Sequence, residues 1–230
     1  MKIRIRYLKK IAKLKRKRYH PLLHKIHKEY KISRKTLLYI KEYGPRSSAI
    51  KNIIKESFSV LIFASIISSV GGLALENIKA LFISIIPLII LLPALNDMIG
   101  DFGTIIAARF STLLHEERIS KKWWKDADAK KLFCQVYIAA MITAILCFVS
   151  AIVISVYSGY VDYIMATKIF FITIIDVMAL VSIIFAISVV AGLYFYRKQE
   201  DPNNFLIPIS TSIADFGNML ILSLLVLIFF

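Results

Sequence analysis

From about residue 57 onward the chain is built of long runs of Ile, Leu, Val, Phe and Ala, and no other feature limits its fold so severely. Hydrocarbon offers no water to a bare N–H or C=O, so a run of about 20 apolar residues must bond its backbone internally as a helix about 30 Å long. Five such stretches are expected: Phe58 to Leu75, one within Lys79 to about Ser111, Leu132 to Tyr157, Ile169 to Phe195, and Phe205 to Phe230. Composition agrees, with 58% of the 230 residues apolar and a mean hydropathy of +0.68, which excludes an ordinary soluble domain and a disordered chain. The predicted fold is all-α: a polytopic membrane protein with five transmembrane helices.

The second stretch is too long for one span, contains Pro87 and Pro93, and turns polar at Asn96, Asp97, Gly100 and Asp101. Prolines at membrane depth free backbone groups, which must then meet other helices or line a watery cavity. Orientation follows from the basic residues, because cytoplasmic segments retain positive charge. Of the 30 Lys and Arg, residues 1–55 hold 19, residues 109–131 hold seven and Arg197 with Lys198 supply two, leaving only Lys79 and Lys168 for the opposite face. The N-terminus is therefore expected in the cytoplasm and Phe230 outside. An odd number of spans precludes an even inverted duplication, so a closed pore arises most simply from two copies about a two-fold axis normal to the membrane.

Charge and grease are segregated along the chain. Residues 1–55 read as a basic cytoplasmic region of amphipathic helix and residues 56–230 as a five-span membrane domain. Ile5, Leu8, Ile11 and Leu14 recur every three positions among Lys and Arg, the pattern of a helix lying on anionic headgroups, at about 1 kcal/mol per basic residue. Docking of a cytoplasmic partner fits the same charge. Nucleic acid is disfavoured, since no base-reading or aromatic-stacking motif accompanies the run. His20, His24 and His27 share a helical face, but no carboxylate or thiol completes a metal site there. Because the first apolar stretch begins only near Phe58, no cleaved secretory signal is expected. Cys134 and Cys147, thirteen apart in one apolar run, read as buried inert thiols. Trp123 and Trp124, between Lys122 and Lys125, read as interfacial anchors.

An ionisable group inside a bilayer costs several kcal/mol unless it meets water, a partner or an ion, so the intramembrane carboxylates are the functional candidates. Asp215 lies about ten residues into the fifth span, roughly 15 Å at ~1.5 Å per residue, the middle of a core about 30 Å thick. Thr211 and Asn218, at minus four and plus three, share its helical face. Asp97 and Asp101 lie on one face if the backbone is helical, or converge around Gly100 if it opens there. Two like charges so close call for a proton or a cation between them, with Arg109 the nearest base. Asp176, roughly 10 Å from the outer end of the fourth span by the same rise, reads as a pathway residue. Glu76 ends the first span as a solvated charge or a pathway residue.

Two motifs carry a resemblance. Pro93-Ala94-Leu95, Gly100-Asp101-Phe102-Gly103 and Ala108-Arg109-Phe110-Ser111-Thr112 resemble the second-helix signature of MgtE-type magnesium channels and their eukaryotic solute-carrier relatives. Asp201-Pro202-Asn203-Asn204, Pro208, Thr211-Ser212 and Ala214-Asp215 resemble the fifth-helix signature. The likeness implies a pore between two subunits lined by the second and fifth helices, with Mg²⁺ held at Asp215. It also implies a role for Glu76, similar to the acidic residue that follows the family's first helix. Asp101 and Ile105 stand where the bacterial pattern has Asn and Gln, so one amide is replaced by a charge and another is lost. The resemblance covers about residues 50–230 and not the bacterial cytoplasmic N and CBS domains, so gating through those is not expected.

The expected activity is transport of a divalent cation, Mg²⁺ foremost, across the cell membrane, with no chemistry on the ion, no cofactor and no enzymatic role. Asp215, Thr211 and Asn218 would hold the hydrated ion near mid-membrane, and Asp97 with Asp101 would form a second cation site nearer the cytoplasm. The expected assembly is a homodimer, or a pair with a paralogous five-span chain. A proton- or Na⁺-coupled exchanger, and a non-transporting scaffold with a basic partner-binding arm, are the alternatives.

Overall fold

The computed structural model describes residues 49–116, 118–119, 123–157, 162–198 and 201–230, and every structural statement below concerns those residues. The basic amphipathic region and its three histidines fall outside them. The chain divides into two compact units, residues 1–58 and 59–230. Of the first, only the opening turns of helix α1 are described.

Five helices are long and apolar enough to cross a membrane, in keeping with the five expected spans. They are α1 (Ala49–Asn77), α3 (Ile86–His115), α4 (Ala127–Tyr157), α5 (Tyr163–Arg197) and α6 (Asn203–Phe229). The short helix α2 (Lys79–Ser84) precedes α3, and a 3₁₀ turn at Trp123–Lys125 precedes α4. The overlong second stretch is thus two helices parted at Ile85 (φ −113°, ψ 82°). Pro87 sets the break: in a continued helix its ring would meet the carbonyl four residues back, whereas in the first turn of α3 its missing N–H is not needed. Pro93 and Gly100 do not open the backbone, because α3 runs through both. Asp97 and Asp101 are therefore placed by helical spacing, one turn apart on one face.

The core of unit 59–230 follows from the faces of α3. Leu88, Leu91, Leu95, Ile99, Phe102, Ile106, Phe110 and Leu114 recur every three or four residues and are all buried, packed between α4, α5 and α6. Helix α4 meets this core through Ala129, Ala140, Ala144 and Ala151, small residues whose spacing lets backbones approach closely. The α3–α6 seam is also close. A Cβ on Gly103 would lie 3.1 Å from Ser210 Cβ, so the glycine allows the two polar faces to meet. At Gly71 of α1 a Cβ would lie 3.0 Å from the Phe216 backbone, which brings the C-terminal part of α1 against α6. The rest of α1 presents Leu61, Ile62, Phe63, Ile66 and Val70 outward, as a lipid-facing helix does.

Local bonds set the start of α6. The Asp201 carboxylate accepts from Asn203 N–H at 3.1 Å and Pro202 occupies the cap, so this turn orients the helix that carries Asp215. His115, at the end of α3, lies 3.8 Å from the same Asp201 carboxylate and packs edge-on against Tyr196 of α5. Three helix ends are joined there. At the opposite end of the bundle Lys168 Nζ lies over the Phe230 ring at 4.7 Å.

Candidate functional site

Opposite the buried stripe of α3 runs a second one, Pro93, Asn96, Asp97, Gly100, Asp101 and Thr104. Together with Thr211 and Asp215 of α6 it lines an open cleft of about 380 Å³. Three carboxylates and two hydroxyls, all hard oxygen donors, therefore face one space. A Cβ on Gly100 would meet nothing within 4 Å, so this position borders open space. Asp97 and Asp101 are exposed to it, and no ion pair to either is found among the described residues.

Asp215 is held differently. Its Oδ1 accepts from Asn96 Nδ2 at 2.7 Å and its Oδ2 accepts from Ser68 Oγ at 3.1 Å. Helices α3 and α1 thus each supply one donor to a carboxylate that remains half-buried at the cleft wall. Hydrogen bonds to ionised groups are about twice as strong as neutral ones, and two of them fix both oxygens of Asp215 in direction. Thr211 Oγ1 donates back to the Ile207 carbonyl at 3.0 Å, one turn above Asp215, leaving its lone pairs for the cleft.

Behind this wall lies a polar chain. Asn218 and Asp176 are both fully buried. The amide of Asn218 is satisfied with its Nδ2 donating to Asp176 Oδ2 at 2.8 Å and its Oδ1 turned to Asn96, whose N–H lies 3.3 Å away. The order from interior to cleft is therefore Asp176 on α5, Asn218 on α6, Asn96 on α3 and Asp215 on α6.

The residues singled out from the sequence thus fall into three groups. Asp215, Thr211, Asp97 and Asp101 line one cleft. Asn218 does not share it, since three residues beyond Asp215 the helix has turned this amide inward. Asp176 lies deeper, where Gly217 lets α5 approach so closely that its place for a Cβ is occupied by Leu180. Glu76 is apart from both groups, exposed and paired with Lys79 at 3.4 Å. Arg109 does not reach Asp101. It lines a separate groove between α3 and α4, where Arg118 is bound to Asp128 at 2.9 and 2.7 Å. Cys147 is partly buried, but Cys134 is exposed, on a face that the apolar run left undefined.

Two site residues had no role assigned from sequence. Asn96 drew notice only as part of a polar interruption, and Ser68 drew none. The signal for Ser68 was the small polar cluster Ser65, Ser68, Ser69, Gly71 and Gly72 in an otherwise greasy span.

Comparison with known proteins places this cleft in a family. The family model for MgtE, a divalent cation transporter, matches residues 92–225, which include both motifs and every cleft residue from Pro93 to Asp215. The chain belongs to the MgtE family. That family is one of transporters rather than enzymes, and the five spanning helices make this member a multi-pass membrane protein. Outside the MgtE match lie Ser68 and Glu76. The chain is also similar to solute carrier family 41 member 2 of Xenopus laevis, 27% identical over 183 residues that represent 73% of this chain and 31% of the relative. It spans about a third of that relative's length. No solved structure matches the chain.

Proposed function

We propose that this protein carries a divalent cation, Mg²⁺ foremost, across the cell membrane through a pore formed where two copies bring their α3–α6 clefts together. The observation that carries the reading is the convergence of Asp97, Asp101, Thr211 and Asp215 on one open cleft in the seam between the two helices that bear the family motifs. Membership of a divalent cation transporter family supports it.

The chemistry suits Mg²⁺. This ion prefers hard oxygen ligands in near-octahedral geometry and sheds water reluctantly, so it calls for a wet corridor with a few carboxylates. Among the described residues no three His, Cys, Asp or Glu side chains gather closely enough to hold an ion unaided. On this proposal one cleft is half of the pore, and a two-fold partner supplies the other half. Asp215, steered by Asn96 and Ser68, holds the hydrated ion near mid-membrane with Thr211 beside it. Asp97 and Asp101 are like charges four residues apart, a pairing that destabilises a helix by about 0.2–0.5 kcal/mol until a cation relieves it. They form a second station toward the end bearing His115, which the distribution of Lys and Arg assigns to the cytoplasm. The membrane potential then drives inward flow, at about 2.3 kcal/mol per charge per 100 mV and twice that for a divalent ion.

Uptake of Mg²⁺ into liposomes holding the purified protein tests this. The parent should load the vesicles under an inside-negative potential, and Asp215→Ala should lower the rate at least ~10-fold, as expected when a group acting on the metal is lost. Equal, negligible flux in both would leave a membrane scaffold and end the proposal. Flux that required a proton or Na⁺ gradient at fixed potential would make the protein an exchanger.

A further inference from the structure

The cation cleft leaves a second opening unexplained, the groove of about 550 Å³ between α3 and α4. Arg109 belongs to the first family motif, yet it lines this groove and not the cleft. Lys131 of α4 lines it as well. Both side chains are exposed, and no ion pair to either is found among the described residues.

The carboxylates of the groove are already committed. Asp128 accepts from Arg118 at 2.9 and 2.7 Å, and Glu116 accepts from the same guanidinium at 3.4 Å. The charge left over is that of Arg109 and Lys131, so this groove repels the divalent ion that suits the cleft and calls for an anion. A guanidinium offers a rigid fork of donors that matches phosphate, and an ammonium adds a mobile point charge beside it.

Depth decides which anion. Arg109 lies six residues before the end of α3 at His115, and Lys131 lies four after the start of α4 at Ala127, so both stand within roughly 10 Å of one end of the bundle. Beyond them the lining is apolar except for Gln135: Ile105, Leu132, Val136 and Ala139 lead down to Phe102, roughly 20 Å from that end. A soluble anion would occupy the charged rim and leave this floor bare. An acyl chain fills it, since half of a hydrocarbon core is about 15 Å thick. A zwitterionic lipid brings its own cation to the phosphate and leaves Arg109 and Lys131 uncompensated. The chain's own residues 1–55, with 19 Lys and Arg, are repelled by the same charge.

We infer that the α3–α4 groove binds an anionic phospholipid, its phosphate held by Arg109 and Lys131 and one acyl chain laid along the apolar floor toward Phe102. Basic pockets between spanning helices take anionic headgroups in this way, and the end concerned is the one that the distribution of Lys and Arg assigns to the cytoplasm. Groove and cleft share no lining residue, so the inference stands apart from the transport reading.

The test uses the purified 230-residue chain in neutral detergent with Cys134→Ala and Cys147→Ala, and with Thr112→Cys at the charged end of the groove as its one thiol. Maleimide labelling is timed against added phosphatidylglycerol, phosphatidylcholine of the same chains, or glycerol phosphate. Phosphatidylglycerol should slow labelling, and phosphatidylcholine should need about 10- to 30-fold more lipid for equal protection, the scale of two basic groups at an anionic surface. Glycerol phosphate should give none. Arg109→Gln with Lys131→Gln should abolish the preference, whereas Lys9→Gln with Lys10→Gln, an equal loss of charge outside the groove, should preserve it. Thermal melting checks each fold; should the groove double variant fail to fold, either single variant should lower the preference about 5-fold. Equal protection by the two lipids means ordinary annular contact, and equal protection by glycerol phosphate means a soluble-anion site. A preference lost with Lys9 and Lys10 instead belongs to the N-terminal region, and slow labelling without lipid that quickens on dilution means a second copy covers the groove. Each of these four results overturns the inference.

Discussion

Asn96 and Asp215, 119 positions apart in the chain, meet at 2.7 Å across the seam between α3 and α6. This bond joins the two family motifs, because Asn96 falls inside the first and Asp215 closes the second. It makes the orientation of the cleft-lining carboxylate a property of two helices rather than one.

Removing the donor should therefore weaken the site without removing its charge. Asn96→Leu should raise the Mg²⁺ concentration for half-maximal uptake about 10- to 100-fold, since outer-shell partners of metal sites contribute on that scale. A titration of uptake rate against Mg²⁺ in liposomes checks it, and an unchanged half-saturation would show that Ser68 alone suffices to orient the carboxylate.

The exposed pair of the cleft should behave more mildly than Asp215. Asp97→Asn and Asp101→Asn each remove one of two like charges that have no basic partner among the described residues, so either change should weaken attraction of the ion and relieve repulsion. We expect each single variant to transport more slowly than the parent but faster than Asp215→Ala, and the double variant to be slower than both. Raising ionic strength should narrow the gap between parent and variants, because solvent-exposed charges are screened within about 8–10 Å at physiological salt. Singles as inactive as Asp215→Ala would place the ion's main contact at this pair instead.

Close approach of α3 and α6 is a separate requirement. At Gly103 a Cβ would already lie 3.1 Å from Ser210 Cβ, tighter than most real contacts. Gly103→Leu should separate the helices, destabilising the protein by about 1–3 kcal/mol as overpacking does, and should lengthen the Asn96–Asp215 bond. Thermal melting in detergent together with uptake tests this; a stable, fully active leucine variant would mean that the seam tolerates a wider spacing.

Pairing of two clefts has its own test. In a background with Cys134→Ala and Cys147→Ala, a single cysteine introduced as Thr104→Cys on the cleft wall should oxidise to a species of twice the 26.2 kDa chain mass in membranes. The same change at Ile83, exposed on α2 away from the cleft, should not. Cross-linking at Ile83 but not at Thr104 would put the contact between copies elsewhere.

What the amino-acid sequence decided by itself was where the chain must be helical and which groups need explanation. A run of twenty apolar residues has one backbone solution in lipid, and a carboxylate within it has few inexpensive states, so the five spans and the standing of Asp215 could be read without coordinates. Spacing along one helix also joined Thr211 to Asp215. It misled at Asn218, because which side of a helix is wet depends on what packs beside it, and here α5 and α3 close over that amide. Asp176 shows the same limit: its depth in the span was legible, but burial behind Asn218 rather than exposure on a pathway follows from the close α5–α6 contact at Gly217. Asn96 and Ser68 acquire meaning only through packing, since an amide and a hydroxyl carry no charge to mark them until three helices bring them to the oxygens of Asp215.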